Sequence, residues 1–244
     1  MGIIGGLGPM ATAYFYELIT KMTDSLRDQD HLDIVIFSKP SIPDRTSYIL
    51  GYSKDSPLDP MVTAGMELVK LGAQHIAIPC ITAHYFHDEL SQRIKVPVLH
   101  GIQETVRLLK EYGIKRAGIM ATDGTIQSKL FQKEMHKSGI STVIPDEMNQ
   151  RFVMDLIYHC IKSNLPADMY KFNNVVMHLK EDGAEAIVLG CTELSLIKRD
   201  YPIGFGFLDV MEVLARLSIQ KSGGCVKEKY SNLLMQQESR SNGL

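Results

Sequence analysis

No stretch of this 244-residue chain approaches the roughly 20 consecutive apolar residues that cross a bilayer, so no membrane partner is expected. A dense basic block is missing too. With 26 Lys and Arg against 28 Asp and Glu and a net charge of −2, the sequence offers no phosphate-neutralising surface, and nucleic acid is not an expected partner. The start, MGIIGGLGPM, lacks the basic n-region of a secretory leader, which reads as a cytoplasmic protein. Cysteines are few: Cys80, Cys160, Cys191 and Cys225. Their wide spacing excludes a zinc knuckle or a Cys-x-x-Cys redox pair, and in a reducing cytosol they stay thiols.

What is present is a globular composition, 45% hydrophobic and 22% charged, with enough apolar residues to bury a core. Apolar runs of strand length recur at GIIGG, LDIVIFS, HIAIP, VPVLH, RAGIMA, STVIP, EAIVLG and PIGFGFL. Most alternate with segments of helical period, among them 61–71, 102–112 and 173–181. That alternation predicts an α/β chain with parallel sheet flanked by helices.

Two of these units match. LGAQHIAIPCITAH begins at Leu71 and DGAEAIVLGCTELS at Asp182, and in each a Gly-Ala pair is followed by Ile and then Cys at the same spacing. A weaker echo pairs GIIGGLGPMATAYFYEL with GIMATDGTIQSKLFQKEM. Self-similarity at this period predicts two pseudo-symmetric α/β domains. The expected division is 1–100 plus 207–222 for the first and 101–206 for the second, with 223–244 a polar, poorly ordered tail.

Each matched cysteine sits where a strand gives way to a helix, the end of an open α/β sheet at which ligands bind. Unpaired N–H groups and the positive end of the helix dipole favour thiolate there. A single strand-end cysteine reads first as a small buried hydrophobe. Repetition of the frame, with Thr82 and Thr192 following the two thiols, makes Cys80 and Cys191 candidates for an opposed acid/base pair that takes a proton from one side and returns one from the other. Cys160, on a helical pattern, and Cys225, in the tail, keep the plain reading.

Two other motifs compete. GLGPMA, residues 6–11, fits the G-x-G-x-x-A dinucleotide pattern, but the strand that should end in an acid ends at Ser38 followed by Lys39. A glycine turn allowing close backbone approach to a carboxylate is preferred. His84 and His87 lack a third ligand for zinc. His84 is expected to orient the Cys80 segment, His87 to lie on the surface, and His100 to be a further candidate for the cleft.

The glycine-rich GIIGGLGPMATA, IPDRT at 42–46, PCITAH at 79–84, IYHCIK at 157–162 and GCTEL at 190–194 together resemble the aspartate/glutamate racemases that work without pyridoxal phosphate. The resemblance covers roughly residues 1 to 220. It implies two domains with the active site in the cleft between them, Cys80 and Cys191 as the acid/base pair, no cofactor, no metal, a small amino-acid substrate and a homodimer. It further implies that Arg45 and Lys162 hold the side-chain carboxylate of aspartate or glutamate, with Gly8, Ile81, Thr82, Thr122, Thr125, Thr192 and Glu193 completing the substrate site. For Lys162 an exposed helix lysine is the alternative, and for Thr82 and Thr192 plain helix caps. This chain departs from the family pattern at Ile81 and Lys39, where the family has Asn, and at Met10, where it has Glu. Those departures keep open a non-acidic amino acid as substrate, or a non-catalytic amino-acid binder.

Overall fold

A computed structural model of the chain describes residues 1–234. Its seven strands are β1 (Gly2–Gly5), β2 (Val35–Ser38), β3 (Ile76–Ala77), β4 (Arg116–Met120), β5 (Ser141–Val143), β6 (Ala186–Leu189) and β7 (Phe207–Asp209). The eleven helices are α1 (Pro9–Met22), α2 (Arg45–Ile49), α3 (Leu58–Lys70), α4 (His87–Arg93), α5 (Gly101–Glu111), α6 (Asp123–Gln127), α7 (Leu130–Lys137), α8 (Glu147–Met154), α9 (Met169–Glu181), α10 (Thr192–Asp200) and α11 (Val210–Lys221).

The strands form two wholly parallel sheets, ordered β2-β1-β3 and β5-β4-β6-β7. The expected α/β class is what the chain adopts. In each sheet the strand opening the unit lies in the middle, flanked on one side by the next strand and on the other by the one carrying a cysteine at its end. Both cysteines therefore fall at a topological switch point, where the crevice of an open α/β sheet opens.

The repeated Gly-Ala has a local cause. After α3, Gly72 N–H bonds the Val69 carbonyl at 2.9 Å and Ala73 N–H the Leu68 carbonyl at 3.0 Å. After α9, Gly183 N–H bonds Lys180 at 2.9 Å and Ala184 N–H bonds Leu179 at 3.0 Å. Both pairs are Schellman caps, which need a left-handed residue after the helix; Gly72 has φ 92° and Gly183 φ 86°. The caps stop two helices and aim the chain into the strands that end at Cys80 and Cys191.

Packing joins the halves more closely than the expected boundaries suggest. One core cluster contains Ile3 from the first sheet, Ile119, Val188 and Leu208 from the second, and the facing sides of α1, α5 and α11 between them. Separate clusters cover the outer faces, Met61 and Leu68 of α3 on the first sheet and Val175 and Leu179 of α9 on the second. The segment 207–222 is not simply part of the first domain. Phe207, Leu208 and Asp209 pair with Ile187, Val188 and Leu189, making β7 an edge of the second sheet. Asp209 Oδ1, accepting from Ser195 Oγ at 2.6 Å and the Met211 amide at 2.9 Å, ties α10 to α11 there. Helix α11 then packs on both α1 and α5.

Two further expectations change. VPVLH contributes only a single bridge from Val98 to Ile76, since Pro97 cannot donate to a ladder. The tail is packed as far as it is described: Val226 bridges Thr23, Leu233 N–H bonds Tyr112 Oη at 3.1 Å, and Leu233 and Leu234 are buried. The remainder of the expected tail, 235–244, lies outside the described residues.

Candidate functional site

The carboxyl ends of the two sheets meet at one enclosed cavity. Leu7, Asp44, Arg45, Thr46, Cys80, Ile81 and Thr82 line it from one side, and Thr122, Tyr158, Lys162, Cys191, Thr192 and Glu193 from the other. It offers only about 10 Å³ to the centre of a water molecule, room for about one water. Beside it an open cleft of about 470 Å³ shares Asp44, Arg45, Lys162 and Glu193 with the cavity and has Gly8, Met10, Pro40, Ile42 and Leu196 on its walls. The arrangement is a closed chamber with a wide vestibule.

Both thiols occupy the N-cap position of a helical segment, Cys80 before the 3₁₀ turn Ile81–Phe86 and Cys191 before α10, and neither side chain caps it. The first N–H groups of each segment have no carbonyl of a preceding turn to bond and lie beside the thiols. Both residues are buried. Gly190, just before Cys191, is forced by space: a Cβ there would stand 2.9 Å from Phe131 Cε2 and 3.2 Å from the Met120 carbonyl.

The surroundings of the two thiols differ. Against Cys80 lies the guanidinium of Arg45, itself buried. Arg45 donates from Nη1 to the Pro43 and Ile42 carbonyls at 2.9 and 3.3 Å and from Nη2 to the Leu7 carbonyl at 3.1 Å, while Nε has no partner among the described residues. Three of its five N–H groups are thus spent on fixing the plane, and two remain for the cavity. Burial opposes its charge, but the facing Cys80 and Asp44 outweigh that and raise its pKa. The Cys191 thiol instead donates to Glu193 Oε2 at 3.0 Å. Burial first, and the Glu193 charge second, push its pKa well up.

His84 fixes the Cys80 segment. Its Nε2 accepts from the Gly101 amide at 3.1 Å, which places the proton on Nδ1, facing the Cys80 carbonyl at 3.2 Å. Burial, with His100 and His87 nearby, takes its pKa down to about 3 and keeps the ring neutral. His87 differs from its expected surface position; it is half-buried and bonds the Val98 carbonyl at 2.9 Å. His100 caps α5 by accepting from the Gln103 amide at 3.2 Å and lies outside the chamber. No group of three His, Cys, Asp or Glu side chains among the described residues is placed to hold a metal ion.

The other expected residues fall into three groups. Thr82, Thr122 and Thr125 form a buried ring of hydroxyls with O···O distances of 2.9, 3.2 and 3.1 Å, joining the two sheet ends behind the chamber. Thr122 also caps α6. Gly8, at φ 126°, lies in the vestibule, where a Cβ would stand 2.6 Å from Glu193 Oε1. Ile81 lines the chamber, and its side chain also packs into the central core beside Gly101. Lys39 is packed near Phe37 and does not line either space.

Lys162 ends a π-helical turn, Asp155–Ile161, that continues α8. Its backbone is at the surface, yet its side chain is 25% exposed and turns inward, with Nζ 4.1 Å from the Tyr158 ring centroid and 3.9 Å from Asp44 Oδ2. Burial opposes its charge, but Glu193, Tyr158 and the two thiols raise its pKa. Asp44 and Tyr158 complete the site and were not among the expected residues. Tyr158 Oη donates to Asp44 Oδ2 at 3.2 Å, and burial takes the phenol up to about 12. Burial also works on Asp44, but the Ser47 amide and the two cations prevail and hold its carboxyl low. Asp44 lies in IPDRT next to Arg45, and Tyr158 lies in IYHCIK one helical turn before Lys162.

Two parallel sheets whose matched strand ends place a pair of buried thiols in one chamber define a class: two-unit α/β proteins with the ligand site between the units. Residues 4–217 match the family model described as Asp/Glu/Hydantoin racemase, and the chain belongs to that family. A broad specificity amino-acid racemase, RacX of Bacillus subtilis, is 26% identical over 90% of this chain and 96% of its own. Picrophilus torridus aspartate racemase superposes with a TM-score of 0.84 at 32% identity, covering 94% of this chain and 96% of that one. Glutamate racemase of Francisella tularensis, in complex with D-glutamate, shares the fold with a TM-score of 0.68 at 17% identity, over 96% of this chain and 83% of that one. No helix among the described residues is long and apolar enough to cross a membrane.

Proposed function

We propose that this protein is a cofactor-independent amino-acid racemase acting on aspartate, with Cys80 and Cys191 as its two bases. The observation that carries the reading is the convergence of two buried, strand-end thiols from matched units on one chamber beside two cations, the buried Arg45 and the inward-turned Lys162. One thiolate takes the α-proton, the electron pair spreads into the α-carboxylate, and the opposite thiol delivers its proton to the other face, so that the configuration inverts. Charge developing on the α-carboxylate meets the helix N–H groups after each cysteine and the hydroxyls of Thr82, Thr122 and Thr192. The remaining edge of Arg45 and the ammonium of Lys162 suit the side-chain carboxylate, Arg45 through its fixed planar fork.

A second reading is favoured by the vestibule, where Met10 is 54% exposed and stands with Pro40, Ile42 and Leu196 on an apolar wall. An uncharged side chain would find contact there, in line with the broad specificity of the Bacillus relative. Chiral chromatography of L-aspartate, L-glutamate and a panel of neutral L-amino acids, incubated without added cofactor, separates the readings. Aspartate should racemise fastest. Racemisation confined to neutral substrates would replace the acidic reading, and none with any of them would remove both.

A further inference from the structure

Glu193 is a charged group of the chamber, in contact with one of the two thiols, that the proton transfer just described leaves without a task. Its carboxylate is buried between the chamber and the vestibule. Oε2 is doubly engaged, accepting from Cys191 Sγ at 3.0 Å and from Thr192 Oγ1 at 3.4 Å. Oε1 is buried and has no partner among the described residues. It faces Gly8, where a Cβ would stand at 2.6 Å, so the left-handed glycine keeps the approach to this oxygen clear of any side chain. An unpaired carboxylate oxygen in a buried site is costly, and it marks the place of a missing donor.

We infer that Glu193 is the protonation switch of the site: Oε2 keeps Cys191 as the proton-bearing thiol in the free protein, and Oε1 receives the ammonium of the arriving amino acid. The second half rests on the racemase reading; the first is a property of the free protein. The other charged or titratable groups around the pair are Lys162 and Tyr158 from the π-helical turn, and Arg45, Asp44 and Cys80 across the chamber. Lys162 works against the effect, since its charge favours a Cys191 thiolate, but burial and the contacting carboxylate prevail. Cys80 has the opposite neighbour, the Arg45 guanidinium.

The proton inventory then has a direction. Cys80 takes the α-proton of the bound amino acid, and Cys191 Sγ gives its own proton to the opposite face. Afterwards Cys80 is the thiol, and Cys191 is a thiolate next to Glu193. While the ammonium sits on Oε1 the carboxylate charge is offset and that thiolate is tolerated. When the product leaves, the two adjacent negative charges draw a proton from solvent back onto Cys191, Cys80 beside the Arg45 guanidinium releases to solvent the proton it took, and the site is reset. Glu193 is a positioning residue for Cys191 and a binding residue for the ammonium.

Alkylation by iodoacetamide as a function of pH, read at each cysteine by peptide mass spectrometry, tests this, with the exposed Cys225 as internal control. In the unmodified protein the alkylation midpoint of Cys191 should lie above that of Cys80, and Glu193→Gln should bring the Cys191 midpoint down by about one unit or more while Cys225 stays in place. The reverse order in the unmodified protein, or an unmoved Cys191 midpoint in a folded Glu193→Gln, would overturn the switch. If that variant does not fold, the order in the unmodified protein decides alone. For the ammonium, Glu193→Gln should raise KM for L-aspartate about tenfold while the inhibition constant of succinate, which has no ammonium, stays the same; an equal rise in both would contradict that half. Absence of turnover with every amino acid would count against the racemase reading and leave the alkylation order to judge the proton on Cys191.

Discussion

At the scale of single residues, the site is built from groups whose donors and acceptors are mostly committed before any ligand arrives. Arg45 is the clearest case: three of its N–H groups go to the carbonyls of Leu7, Ile42 and Pro43, so the side chain cannot swing, and a fixed edge faces the chamber. Arg45→Lys keeps the charge but loses the fork, and kcat/KM should fall by roughly 10 to 100-fold, the effect of losing one charge-assisted hydrogen bond. His84 makes a prediction about pH. Its folded-state pKa is about 3, against an ordinary 6.5, so the folded protein refuses a proton that the unfolded chain accepts. Stability from this site is complete above pH 6.5 and declines as the pH falls from there towards 3, with a slope of at most about 1.4 kcal/mol per unit. His84→Gln should flatten that acid-side slope in urea titrations run at several pH values. The sequence made Cys80, Cys191, Arg45 and His84 legible because each sits in a motif with its own chemical reason. Asp44 and Tyr158 were not legible as site residues, since their roles depend on meeting each other from elements 114 positions apart. Ile81, expected at the ligand from its place beside the cysteine, lines the chamber and also packs into the central core.

Elements carry those residues to the chamber, and two kinds of glycine set their ends. Gly72, with φ 92° and nothing within 4 Å of a would-be Cβ, is a matter of backbone conformation alone. Gly72→Ala should therefore lower stability by about 1 kcal/mol and leave kcat unchanged. Gly190 is a matter of space, pressed between Phe131, Ala121 and the Met120 carbonyl. Gly190→Ala should cost about 1 to 3 kcal/mol through overpacking and, by displacing the end of β6, also lower kcat. Thermal denaturation paired with turnover distinguishes the two. The Gly-Ala frames made the strand-to-helix junctions readable because a Schellman cap has a local sequence cost that only glycine meets cheaply. Which sheet receives β7 was not readable: PIGFGFL predicts a strand, but the choice between the free edges of two parallel sheets is made by long-range packing around Leu208 and Asp209.

Across the whole molecule, the shared core of α1, α5 and α11 packs the two units against each other, with the chamber at their junction. A chamber with room for about one water is smaller than an amino acid, and the Tyr158–Asp44 hydrogen bond crosses it between the two units. The C-terminal segment belongs to this packing as well. Its polar composition predicted a loose tail, yet two leucines at its described end are buried, which composition averaged over the segment cannot register. Leu233→Ala or Leu234→Ala should each reduce stability by about 2 to 5 kcal/mol in denaturant titration.

Two thiols that exchange protons with the two faces of one α-carbon leave an isotopic trace. The most direct test is incubation of the purified protein with L-aspartate in D2O without added cofactor, following the α-carbon by NMR and chirality by chromatography. Deuterium should enter the α-position as D-aspartate appears, and Cys80→Ser and Cys191→Ser should each lower racemisation by about 10² to 10⁴-fold. Racemisation at the full rate in either variant, or a D-product that retains the original α-hydrogen, would contradict the two-thiol exchange.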